Sequence, residues 1–129
     1  MTQSAPLHPV QMRHPDLARL VEHFYEQARQ DPLLAPVFAR ITDWPHHFRA
    51  LTAFWATQLR GRGLYRGAPI AVHHAMRRQL APEMFERWLA LWDAATAQVM
   101  GAEDAAALQA HARRIAAVMQ AAIFDGADQ

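Results

Sequence analysis

His47, Leu51 and Trp55 recur at four-residue spacing and project from one side of a helix, with Phe54 widening the stripe. An imidazole therefore shares a face with large apolar groups. A second pair of imidazoles, His73 and His74, follows a glycine-punctuated loop in the apolar run IAVHHAM. One histidine on a helix and another after a turn can form two walls of a slot for something flat, apolar and metal-bearing. The competing reading of a lone histidine on such a face is a hydrogen-bonded core or boundary residue, and spacing alone favours it. Tyr25, flanking an apolar stripe, and Trp88, within another, add a hydroxyl and an indole N–H that need partners if buried.

The elements that must carry these groups are all helical. Pro15 and Asp16 open a helix whose apolar positions Leu17, Leu20, Val21, Phe24 and Ala28 follow the 3.6-residue period. Asp31-Pro32 breaks it, and LLAPVFARI, with Pro36 inside, reads as one or two helical turns placing Phe38 and Ile41 beneath the next helix. That central helix spans residues 44–60, capped by Asp43, tolerant of Pro45 in its first turn and ended by Gly61 and Gly63. Pro82 and Glu83 begin a helix with the strongest amphipathic pattern, carried by Phe85, Trp88, Leu89, Trp92, Thr96 and Val99. After Gly101, Leu108, His111, Ala112, Ile115, Met119 and Ala122 share a face rich in small residues, which predicts close helix packing. No strand alternation, phosphate loop or repeat appears, so the expected class is all-α.

With 129 residues the chain fits one domain. We divide it into a flexible leader over 1–14, a domain over 15–125 and a tail over 126–129. His8 and His14 in the leader, and His23, are expected in solvent. A net charge of +1 gives no bulk attraction to nucleic acid or anionic membrane. The absence of cysteine excludes disulfides and thiolate metal sites and agrees with a reducing compartment. No secretion signal or run of apolar residues long enough to span a bilayer is visible, so the expected location is cytoplasmic.

Four segments taken together, FYEQARQDPLLAPVF, DWPHHFRALTAFW, YRGAPIAVHHAM and MFERWLALW, resemble the truncated haemoglobins, specifically their third group, over about residues 17–123. The resemblance implies a two-over-two helical sandwich around haem b. It makes His73, four residues after Pro69, the proximal iron ligand; the neighbouring His74 would take that role if the loop were shifted by one residue. It also implies His47 as distal histidine, Leu51 as an apolar residue over the haem face, and Tyr25 and Trp88 as distal donors. Phe24, Phe38, Phe54, Trp55, Ile115 and Met119 would then form apolar wall. Met84 stands where the family often has histidine, a mild departure.

Such a site binds oxygen, carbon monoxide and nitric oxide at the open axial position of a histidine-ligated iron. Two donors to a ligand that draws negative charge, at about 1.5–3 kcal/mol each, would slow its dissociation by roughly two to four orders of magnitude at most. Tight oxygen binding suits redox, scavenging or sensing rather than bulk transport. Peroxidase-like turnover on peroxide, with His47 moving the proton, and nitric oxide dioxygenation are the enzymatic alternatives; the second needs a reductase the chain does not encode. Arg49 lies on a different helical face from His47 and offers peroxide no distal cation. The default oligomeric state is monomer. A remote alternative is a DNA-binding helical module built on Arg60, Arg62, Arg66, Arg77 and Arg78, and a histidine-only zinc site is weaker still, because His46 and His47 point about 100° apart.

Overall fold

The computed structural model describes residues 14–59 and 68–125, and every regular element among them is helical. The leader and tail, His8, the arginines at 60, 62 and 66, and the glycines expected to end the central helix lie outside the described residues. Helix α1 (His14–Ala28) begins one residue before the expected start. It buries Leu17, Leu20, Val21, Phe24 and Ala28, the stripe predicted from the period. At its end the Asp31 carboxylate accepts the backbone N–H groups of Leu33 and Leu34 at 3.0 and 3.2 Å, which turns the chain where a helix-breaking proline follows. The other Asp31 oxygen takes Arg87 at 2.7 Å and ties the turn to a later helix.

A single helical turn, α2 (Ala35–Phe38), leads into α3 (Trp44–Leu59). The Asp43 carboxylate accepts the His46 N–H at 3.1 Å, so the predicted cap is present. Helix α4 (Ala68–Ala75) carries the histidine pair in its last turn, and one 3₁₀ turn over Arg77–Gln79 separates it from α5 (Pro82–Val99). Pro82 occupies the start of α5, where its missing N–H costs nothing. Helix α6 (Ala102–Gln120) runs without a break into a π turn, Ala121–Asp125. In that wider turn Ile123 is fully enclosed and the Phe124 ring meets Phe85 edge-on at 5.9 Å.

Helix α1 packs on α3 and on α5, while α5 and α6 form the most extensive described pairing. Two helix pairs therefore cross, the expected two-over-two arrangement. Close approach of α5 and α6 follows from Ala95 on one and Ala105, Ala112 and Ala116 on the other, all buried. At the crossing, three indoles make a column: Trp55 of α3 stacks on Trp92 at 4.5 Å, and Trp92 is parallel to Trp88 at 6.2 Å. Phe24 meets both Trp88 and Trp92 edge-on, at 5.9 and 4.9 Å. Such rings bury large areas and prefer offset or edge-to-face contact, so this column fixes the angle between the pairs. The Trp92 indole N–H donates to the Leu108 carbonyl at 3.0 Å, which joins α5 to α6 at the same level. Among the described residues no helix is long and apolar enough to cross a membrane.

Candidate haem-binding site

Helix α3 presents two stripes. Trp44, Thr52 and Trp55 are buried toward α1 and α5, with Phe48 and Leu59 partly covered beside them. His47, Leu51 and Phe54 lie on the adjoining stripe and are half-buried, and Gln58 continues it at the three- and four-residue spacing. The sequence reading had put Trp55 on the His47 stripe. The structure moves it to the core stripe, about 80° around the helix from His47, because the indole is taken up by the Trp92 stack. Trp55 is 1% exposed and Phe24 is fully enclosed, so these two expected wall residues sit inside the core and support the site from behind. Phe38 and Phe54 keep partly open surfaces, while Ile115 and Met119 are buried on α6.

The groups expected on the distal side lie close together. Tyr25 is 5% exposed, and burial pushes its pKa up to about 12 even though the Trp88 indole N–H, as a donor, favours the phenolate. The Tyr25 ring meets Phe38 edge-on at 5.6 Å and the His47 imidazole edge-on at 6.4 Å. Burial, with a smaller contribution from charge on His46, holds the His47 pKa below the ordinary histidine value, which favours the neutral ring. The structure thus brings Tyr25, His47 and Trp88 together.

Sequence reasoning missed Trp44. Its indole meets His47 edge-on at 5.3 Å, lies 6.5 Å from Tyr25 and 6.0 Å from Phe38, and carries the Arg29 guanidinium over its face at 4.3 Å. The signal available was its place three residues before His47 on one helix. Gln58 was missed as well: it is 3% exposed, and its amide nitrogen is buried without a hydrogen-bond partner. On a stripe otherwise apolar beyond His47, a polar side chain was the signal.

On the other side, His73 and His74 are both half-buried in the last turn of α4. The Arg77 guanidinium donates to the His74 carbonyl at 2.9 Å and lies 3.4 Å from its Nδ1. Arg77 therefore closes the end of this helix by satisfying one of its terminal carbonyls. Arg40 reaches the same region, with Nη1 2.8 Å from the Met76 sulfur.

The groups present fit haem. Its macrocycle brings four nitrogen ligands and asks the protein for one imidazole and apolar walls. A bare ion would need three or more ligands, and no such cluster of histidine, aspartate or glutamate occurs among the described residues. The orphaned Gln58 amide and the half-open faces of Leu51 and Phe54 along one stripe are what a site shaped around a further group leaves.

The bacterial-like globin family model matches residues 13–123, and the chain belongs to that family. The group 3 truncated hemoglobin ctb of Campylobacter jejuni subsp. jejuni serotype O:2 is 35% identical over 82 residues, covering 60% of this chain and 64% of that protein. The matched region thus spans less than two thirds of that relative's length. The crystal structure of the group III truncated hemoglobin from Campylobacter jejuni aligns with a TM-score of 0.76 at 28% identity, over 92% of this chain and 98% of the other. The fold is that of a group III truncated haemoglobin.

Proposed function

We propose that the chain holds haem b through His73 and retains oxygen tightly by a hydrogen bond from Tyr25, a role suited to redox chemistry, scavenging or sensing. Haem, when bound, would supply an iron able to take oxygen, carbon monoxide or nitric oxide. Everything else comes from the chain.

His73 is favoured over His74 as the axial imidazole because the permanent Arg77 charge lies against the His74 ring, a poor neighbour for a cationic metal. On the distal side the single observation that carries the reading is the enclosed Tyr25 hydroxyl beside the His47 ring, with the Trp88 indole as the donor that favours its phenolate. A hydroxyl that accepts from a donor is polarised and becomes a stronger donor through its own proton. The two groups act in series, with Tyr25 as the one that reaches the ligand. One such bond, at about 1.5–3 kcal/mol, slows ligand release by roughly 10- to 150-fold, less than two parallel donors would. Because the bond depends on charge drawn onto the ligand, oxygen gains from it and carbon monoxide gains little. In stopped-flow dissociation, Tyr25→Phe is expected to release oxygen roughly 10- to 150-fold faster with the carbon monoxide rate nearly unchanged. An oxygen rate that does not move removes Tyr25 from the role.

The depressed His47 pKa favours a second reading, peroxidase-like turnover, because a neutral imidazole can accept a proton from hydrogen peroxide. Loss of peroxide-dependent dye oxidation in His47→Leu, with oxygen binding retained, is its expected signature. Nitric oxide dioxygenation uses the same donors and requires an external reductase.

A further inference from the structure

The His47 imidazole is held from outside the site by Trp44, and Trp44 in turn by Arg29. Arg29 sits in the turn just after α1, half-buried, with Glu26 3.9 Å from its guanidinium. Its guanidinium carbon lies 4.3 Å above the centre of the Trp44 ring. The Trp44 ring in turn meets the His47 imidazole at 5.3 Å and 87°. Trp44, Tyr25 and His47 close a triangle, each within 6.5 Å of the other two, and Phe38 and Phe48 pack around the Trp44 corner. Trp44 is 9% exposed, so its ring has little room to turn, and the cation above it fixes which way its face points. The imidazole has Tyr25 and Trp44 against it, both edge-on; displacing Trp44 removes one of these two restraints.

We propose that Arg29 and Trp44 form a clamp that positions His47 beside Tyr25, so that a surface arginine sets the orientation of the distal imidazole. The clamp rests on the proposed function for its consequence but not for its existence, since these contacts involve only the chain's own side chains. Arg29 and Trp44 are positioning residues: Trp44 touches His47, and Arg29 acts on the imidazole through the Trp44 ring. Arg29→Lys keeps the charge and loses the flat stacking group, so it separates positioning from simple electrostatics.

Two measurements on the full chain test this. Proton NMR without added haem, with the His47 signals assigned by comparison with His47→Gln, reads the ring-current displacement that Trp44 imposes on the imidazole. Arg29→Gln is expected to cut that displacement by about half or more, Arg29→Lys to cut it partly, and Trp44→Leu to abolish it. In the haem-loaded chain, Arg29→Gln is expected to speed oxygen release roughly two- to five-fold, the range a cation–π contact supports. That effect is expected to shrink sharply when His47 is already alanine, because the clamp acts mainly on the imidazole, with only the longer Trp44–Tyr25 contact left to carry a remainder. An unchanged His47 signal in Arg29→Gln, or a rate effect of equal size in the His47→Ala background, overturns the clamp. Should Trp44→Leu fail to fold, the two Arg29 variants still decide the outcome. A chain that refuses haem overturns the proposed function, while the NMR measurement still decides the clamp.

Discussion

Raising the pH singles out Tyr25 with little interference. The chain has two tyrosines and no lysine, all thirteen of its basic residues being arginine, so Tyr65→Phe leaves Tyr25 as the one side chain titrating between about pH 9 and 12. Burial pushes its pKa up to about 12 from 10.0 in the unfolded chain, even though the Trp88 N–H favours the phenolate. The folded state therefore keeps its proton where the unfolded state has lost it. Below pH 10 the stabilisation from this difference is fully present; it is lost as pH rises through the folded value. Two units at about 1.36 kcal/mol each give roughly 2.7 kcal/mol in total, most of it gone by pH 12. That is a large share of the 5–15 kcal/mol typical of a domain. Phenolate absorbance near 295 nm and urea unfolding at pH 9, 10 and 11 report the two sides of the linkage. The Tyr65→Phe chain is expected to show no phenolate until about pH 12 or until helical structure is lost, and removing Tyr25 as well is expected to abolish this part of the alkaline loss. Trp88→Phe, which takes away a donor to the phenolate, is expected to raise the midpoint further. A Tyr25 that ionises near pH 10 while far-UV circular dichroism stays native would refute the enclosed phenol, and with it the donor proposed to hold oxygen.

Other expectations follow from the same structure. Trp92→Ala opens the centre of the indole column and removes the Trp92–Leu108 hydrogen bond between α5 and α6, so a loss of about 3–5 kcal/mol in chemical unfolding is expected. His47 resists protonation when folded, so between its lowered folded pKa and the unfolded value of about 6.5 the unfolded chain binds more protons. Stability is therefore expected to fall as pH drops through that window, and His47→Gln should flatten the fall in urea midpoints. His73→Gly is expected to lose haem and regain it when free imidazole is supplied, whereas His74→Gly is expected to keep it; the reverse pattern in haem titrations would transfer the axial role to His74.

Helix positions were legible because they depend on local rules that act within a turn or two. Asp43, Pro82 and Gly101 mark starts that the structure keeps within a residue, and the stripes of α1, α5 and α6 point inward as their periods require. The face of α3 was less legible, since Trp55 is apolar enough to belong to either of two adjacent stripes. Its choice depends on Trp92, 37 positions away in the sequence, and no local period contains that partner. The donor residues could be named from their types and order, but the influence of Trp88 on Tyr25 could not, because it arises where α1 and α5 cross. Trp44 and Arg29 escaped notice for the same reason: a cation from one element and an indole from another meet only after folding. The π turn follows an uninterrupted alanine-rich helix, and no residue in it announces a change of winding.

That π turn bears on how the imidazole at position 73 is held. An eight-residue helix of this kind does not persist alone in water, and among the described elements the main contact of α4 is with the closing turn after α6. Helix α4, which carries the proposed axial imidazole, therefore borrows its order from the turn that closes α6. In hydrogen exchange, α4 and Ala121–Asp125 should open together, ahead of the tryptophan-lined centre. Shortening the chain from Ala121 onward would then loosen the grip on the prosthetic group long before it unravelled the helices that surround it.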